Sequence, residues 1–408
     1  MPLLSSTIPE RPHPLARAPI VDRINAALDN SWSRGWLSRP SLDPGELWRK
    51  GARGFDDIDE LGGRSEADAA DFRGRLERLC ASLIAEAELN PVGLTMAHGQ
   101  LVRAVRQRLA LGQLWRREPE LLHTRLAPPI LVVGQMRSGT TRLHRLLAAD
   151  PAHCATRFCD SWHPVPARGA WQPDTRPLWS GVALFMARRL DPWIDSIHPF
   201  GTTRHDEELG WLASALDHSA YEAQWHIPSY VAHCEARDAT PVWREFARIL
   251  RTDAAHRGNA ARPRVMKVPQ FSEQAAALLR QFPDARVVLS SRCEDAVARS
   301  STSLVANQMT IQSDGCDLDR IEAEWRRKIA LRRSRTANAM AAFDGAVAEV
   351  DFNALGADWL ATMRAVYLAL GLPFGPDVRE AMATVMARAA NGEHLAHARQ
   401  LDRFAKAA

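Results

Sequence analysis

Between Glu66 and Leu89 the apolar side chains Phe72, Leu76, Leu79, Leu83 and Ile84 recur at the three- and four-residue spacing of an amphipathic helix. The Asn90-Pro91 step predicts its end, because the residue before a proline is pushed out of helical geometry. A second helical pattern follows on Leu101, Val102, Val105, Leu109 and Trp115. At Pro128-Pro129 the character changes. Ile130-Leu131-Val132-Val133 is a short, unbroken apolar run ending in glycine, the mark of a strand buried on both faces. Further strands are predicted over Arg264–Val268, Arg286–Ser290 and Ala346–Asp351, with helical patterns over Ser272–Gln281, Glu294–Val305 and Leu360–Leu370.

Strands alternating with helices argue for an α/β fold with a central parallel sheet between helical layers. Residues 1–125 read as a helical N-terminal extension that begins in a Pro-rich, loose segment, and 126–408 as the main domain. About 130 residues separate the first strand from the one at Arg264, too many for a simple crossover. They hold seven of the 13 tryptophans: Trp162, Trp171, Trp179, Trp193, Trp211, Trp225 and Trp243. The segment 152–262 is therefore expected to be a helical insertion beside the carboxyl ends of the strands, where a substrate pocket forms. The plainer alternative is that its tryptophans pack its own helices.

Composition changes this picture little. A 46% hydrophobic and 25% charged chain is ordinary for a folded protein, and a net charge of +4 suits a small anionic ligand but gives no polybasic stripe for nucleic acid. Cys80, Cys154, Cys159, Cys234, Cys293 and Cys316 form no C-x-x-C pair and no dense disulfide framework, as expected of thiols in a reducing compartment. Neither a signal-peptide h-region nor an uncharged run long enough to span a bilayer appears, so a cytoplasmic location is expected.

The candidate chemistry follows the first strand. Gly134-Gln135-Met136-Arg137-Ser138-Gly139-Thr140-Thr141 has the spacing of a phosphate-binding loop, G-x-x-x-x-G-K-[ST], with Thr140 in place of the lysine and the cation inside the loop as Arg137. Backbone amides at such a turn, with a helix N-terminus behind them, make a concave anion site, and Thr140 and Thr141 add hydroxyl donors. A nucleoside triphosphatase needs the missing lysine and a Mg²⁺-binding acid on a neighbouring strand. The strand ends here offer Lys267 and Arg292 instead. A degenerate phosphoryl-transfer enzyme and a nucleotide-binding homologue without activity are the rival readings.

At these residues the chain resembles the bacterial sulfotransferase family, whose loop reads roughly V-G-x-x-R-S/T-G-T-T-x-L. Leu147-Ala148-Ala149-Asp150-Pro151, Val265-Met266-Lys267-Val268-Pro269, Phe282-Pro283-Asp284-Ala285-Arg286 and Glu88-Leu89-Asn90-Pro91 extend the likeness along the chain. The resemblance implies 3′-phosphoadenosine 5′-phosphosulfate as sulfuryl donor, a small-molecule acceptor and no metal. It implies that Arg137, Ser138, Gly139, Thr140 and Thr141 hold the 5′-phosphosulfate, that Arg292 and Ser300 hold the 3′-phosphate, and that Lys267 and Arg137 offset charge on the leaving phosphate.

Departures from the pattern leave the proton acceptor open. Cytosolic sulfotransferases of animals carry a histidine two residues after the lysine, where this chain has Pro269. Some relatives use a glutamate shortly after the loop helix, where this chain has Asp160. Asp160 is the first candidate base and Glu207 the second, with His163 and the rest of His205-Asp206-Glu207-Glu208 as alternatives. Phe352 stands where relatives place a tyrosine against adenine, and Asn391–Phe404, with His394, His397 and Arg399, resembles a shortened closing loop.

Overall fold

The structure, a computed structural model, describes residues 11–167 and 173–389. Five strands, β1 (Ile130–Gly134), β2 (Cys154–Ala155), β3 (Arg264–Lys267), β4 (Arg286–Ser291) and β5 (Val347–Asp351), form one sheet in the order β2-β3-β1-β4-β5. Every neighbouring pair is parallel. Alternation along β1 sorts its side chains into two layers. Leu131 and Val133 join the larger core with Met266 and Val287, while Ile130 and Val132 join Val265, Val288 and Val350 on the other face. Both faces are covered, which is why β1 reads as a continuous apolar run.

The larger core also takes in the N-terminal helices, through Leu47, Phe72, Leu101 and Trp115, and the insertion, through Trp211, Trp225 and Trp243. Those three tryptophans are fully buried, as the plainer reading of the insertion requires. Trp193 is buried near the helix Ile194–Ile197, Trp179 is exposed, and Trp171 lies outside the described residues. No helix among the described residues is long and apolar enough to cross a membrane.

Two helix boundaries differ from the sequence reading. The first helix ends at Ala85, and Asn90-Pro91 opens the next one, Pro91–Arg117. Asn90 Oδ1 accepts from the Gly93 amide at 2.8 Å, and proline at the first helical position loses no hydrogen bond, so the pair is a cap rather than a stop. This cap abuts the end of the helix Glu294–Gln312: Asn90 donates through its backbone to the Gln312 carbonyl at 3.1 Å and through Nδ2 to the Ile311 carbonyl at 3.0 Å. A Cβ on Gly93 would come within 1.9 Å of the Gln312 oxygen, so only glycine permits this approach. The N-terminal helices thereby brace the helix that carries Ser300. That helix runs seven residues beyond its predicted end at Val305 because its hidden face includes Ser300, Ser301, Asn307 and Thr310, polar residues that break the apolar period.

Candidate active site at the carboxyl ends of the strands

Because the strands are parallel, their carboxyl ends share one edge, and the loop after β1 opens there. Gly134 pairs with Ser290, and a Cβ on it would lie 2.7 Å from the Ser290 carbonyl oxygen. Ser138 folds the loop back on itself: its amide and hydroxyl both donate to the Gln135 carbonyl, at 3.1 and 2.6 Å. Ser290 Oγ donates to the Ser138 carbonyl at 2.6 Å, which ties the loop to β4. Arg137 has φ +70°, a left-handed conformation that costs a non-glycine residue backbone energy. Gly139 has φ +94°, and a Cβ there would meet Phe352 at 2.7 Å. The helix Thr140–Ala149 follows at once, so its unpaired first amides face the loop.

Cations reach this loop from three adjacent strands. Lys267 ends β3, is buried, and its Nζ contacts the Glu207 carboxylate and donates to Thr141 Oγ1 at 3.2 Å. Arg292, just after β4, donates from Nη1 to the Arg137 carbonyl at 2.8 Å and lies over the Phe352 ring at 4.1 Å. Arg137 itself donates from Nε to Ser300 Oγ at 3.0 Å and from Nη1 to the Ile197 carbonyl at 3.0 Å. The loop and the Arg292–Ser300 pair, read separately in the sequence, are thus joined at Arg137. Burial, and then the nearby Arg292, pull the Arg137 guanidinium down to about 10, with Glu207 opposing them.

The carboxylates divide. Glu207 meets Lys267 at the strand edge and is only partly buried. Asp160, on the helix Phe158–Trp162, is fully enclosed by arginines: Arg157 donates to its two oxygens at 2.7 and 2.8 Å, Arg257 reaches one at 2.8 Å and Arg176 the other at 3.2 Å. Burial would raise Asp160, but Arg157 and Arg176 outweigh it and hold the carboxyl below its usual range. None of these arginines belongs to the loop; Arg157 follows the edge strand β2, and Arg176 and Arg257 come from the insertion. Asp206 is buried against His198 Nε2 at 3.1 Å and accepts the Glu207 amide at 2.7 Å, which sets the backbone that presents Glu207. Glu208 is buried and pushed up to about 8 by desolvation, and it accepts the Lys267 amide at 3.0 Å. Burial lowers His163 to about 4, beside Arg103 and Arg176.

Two participants escaped the sequence reading. The Ile197 carbonyl holds Arg137 and carries no side-chain signal. His144, one turn into the loop helix, is buried with Nε2 unpaired, and burial, then Lys267, lower it to about 3. Its position four residues after Thr140 is the only sequence hint. His394, His397 and Arg399 lie outside the described residues. A groove of about 490 Å³ opens at the opposite, amino-terminal edge of the sheet, between Leu122–Pro129 and Gln281–Asp284, and contains none of these groups.

Residues 128–376 match the sulfotransferase family. The fold is similar to that of the sulfotransferase STF1 from Mycobacterium tuberculosis H37Rv, with 26% sequence identity and a TM-score of 0.73 over 91% of this chain and 100% of that one. It is also similar in fold to the sulfotransferase STF9 from Mycobacterium avium, at 19% identity and a TM-score of 0.71 over 84% and 87% of the two chains. No curated protein matches the sequence.

Proposed function

The chain belongs to the sulfotransferase family, and from that premise we propose that it transfers the sulfuryl group of 3′-phosphoadenosine 5′-phosphosulfate to a hydroxyl or amine of a small or lipophilic acceptor. One observation carries this reading. Arg137 bonds Ser300 through its side chain and receives Arg292 on its carbonyl, so the residues read for the 5′-phosphosulfate and those read for the 3′-phosphate are joined in one cationic surface, which supports a ligand with both groups. Two guanidinium groups held together with part of their hydration removed are costly without an anion, and Arg137 is lowered accordingly.

In this reading the amides of the loop, with Ser138, Gly139, Thr140 and Thr141, hold the 5′-phosphosulfate. The acceptor oxygen or nitrogen attacks sulfur in line, the bond from sulfur to the bridging phosphate oxygen breaks, and 3′-phosphoadenosine 5′-phosphate leaves. Arg137 and Lys267 meet the negative charge that grows on that bridging oxygen. The acceptor's proton passes to Glu207 rather than to Asp160. Glu207 lies against Lys267, where the reacting atoms would meet, whereas every Asp160 oxygen is already engaged by arginine. A base must be free to accept a proton, and a carboxylate held below its usual range by arginines is a poor one. Lys267 must exchange its contact with Glu207 for the donor, which frees the carboxylate as the donor binds. The scheme needs no metal.

The test is transfer of labelled sulfuryl from the donor to a panel of phenols, sterols, lipids and sugars. Label appearing in an acceptor supports the assignment. Donor binding with no transfer to any member of the panel favours the reading of a homologue without activity.

A further inference from the structure

The helix Arg176–Leu190 presents an unusual outer face. Leu178, Trp179, Val182, Phe185 and Met186 are all exposed, between 47% and 65%. They are five of the eleven large apolar residues that stand exposed among the described residues, gathered on nine consecutive positions. At spacings of three, four and seven they form one stripe, while Ser180 and Leu184 face inward. Scattered exposed apolar groups are ordinary, but a contiguous patch of this kind marks a contact surface.

Charge narrows the occupant. From Thr175 to Leu190 the chain carries Arg176, Arg188 and Arg189 and no acid. Arg176 is turned to Asp160, and Arg188 to Asp195 at 2.6 Å. Arg189 is exposed, lies 5.3 Å from the Phe185 ring, and has no carboxylate partner among the described residues. An acid-free helix offers no anionic partner to the arginines of a second copy. It does suit an anionic interface, with aromatic and aliphatic groups entering the headgroup boundary and arginine meeting phosphate.

Position gives the contact a purpose. The helix is anchored in the insertion by Arg176 on Asp160 at its start, and seven residues beyond its end the Ile197 carbonyl holds Arg137 of the candidate site. We infer that this helix seats the protein on an anionic bilayer surface, so that the acceptor is a membrane-resident amphiphile offering its hydroxyl or amine at headgroup level. The choice of acceptor rests on the proposed sulfuryl transfer; the docking does not.

Co-sedimentation with vesicles tests it. The wild-type protein is expected to bind phosphatidylcholine vesicles containing phosphatidylglycerol, and to bind pure phosphatidylcholine vesicles weakly. Trp179→Ser combined with Phe185→Ser changes only exposed positions and should lower partitioning at least ~tenfold. Arg189→Gln should lower binding to the anionic vesicles roughly fivefold. Absence of wild-type binding at low salt, or equal binding by the double variant, overturns the inference. So does light scattering that shows a wild-type dimer which the double variant dissociates, since the occupant is then a second copy. Binding of 3′-phosphoadenosine 5′-phosphate, measured without vesicles, separates the two proposals. Failed sedimentation with intact nucleotide binding removes the membrane contact alone, and failed nucleotide binding removes the sulfuryl-transfer reading.

Discussion

Among the arginine clusters of this fold, the one around Asp160 in the insertion and the one around Arg137 beside the loop differ in what they enclose. Arg157, Arg176 and Arg257 close on Asp160, with Asp174 shared at the rim. The hydrogen bond to Asp160 raises Arg157, and for Arg176 the bonds to Asp174 and Asp160 outweigh burial, so both are held more firmly charged. At the strand ends the direction reverses. Burial and then Arg292 lower Arg137, while burial, with Arg299, lowers Arg292 despite Cys293. Glu207 is the carboxylate there, and it lies on Lys267. A cluster that contains its counter-ions holds structure together. A cluster short of them is prepared for an anionic ligand.

Substitutions in the two clusters should have opposite consequences. The largest expected effect is at Glu207: Glu207→Gln should lower kcat by ~10²–10⁴, the range for a lost general base, while 3′-phosphoadenosine 5′-phosphate still binds by calorimetry. Arg137→Ala should lower kcat by about 10²–10³, because it removes charge stabilisation that grows in the transition state. Near-normal turnover in a folded Arg137→Ala protein would take that residue out of the mechanism.

Asp160→Asn should behave in the opposite way. It leaves three arginines around a neutral group and should cost about 2–3 kcal/mol of stability in urea unfolding, less than a fully buried pair because the arginines are partly exposed. Turnover of the folded variant should stay near wild type. An inactive but stable Asp160→Asn protein, beside an active Glu207→Gln protein, would reverse the two roles. The smallest effect is the pH dependence of that stability difference. The folded Asp160 carboxyl lies below its ordinary value of 3.8, so its contribution is complete above that pH. The gap between wild type and Asp160→Asn should therefore hold near neutrality and shrink as pH falls below about 4.

The same contrast explains what could be read along the chain. β1 was legible as an apolar run buried on both faces and β5 by the alternation of Ala348 and Val350 with exposed Glu349 and Asp351, whereas β2 has two residues, Cys154 and Ala155, and no pattern to detect. The glycines, hydroxyls and Arg137 of the loop were legible because one local turn needs them all. The arginines around Asp160 were not. Arg157 is three residues away, but Arg176 and Arg257 arrive from elsewhere in the insertion, and only folding brings them together. Asp160 and Glu207 therefore look alike in sequence and differ in their surroundings. Asn90-Pro91 carried a real signal with two meanings, an end for one helix and a cap for the next, and the capping bond to Gly93 decides between them.

A strand-end cluster that takes a nucleotide with phosphates at both its 3′ and 5′ positions should discriminate by the 3′-phosphate. Calorimetry with 3′-phosphoadenosine 5′-phosphate and with adenosine 5′-phosphate, on wild type and on Arg292→Ala, gives the four affinities that test it. Charge-assisted bonds to the 3′-phosphate are worth ~1.5–3 kcal/mol each, so the wild type should prefer the bisphosphate by roughly ten- to a hundred-fold per contact. Arg292→Ala should remove most of that preference by weakening the bisphosphate, with adenosine 5′-phosphate little changed because Ser138 and Ser290 still brace the loop once the Arg292 bond to the Arg137 carbonyl is lost. Equal wild-type affinity for the two nucleotides would contradict the account, since Arg292 and Ser300 would then have no ligand to explain their place beside Arg137.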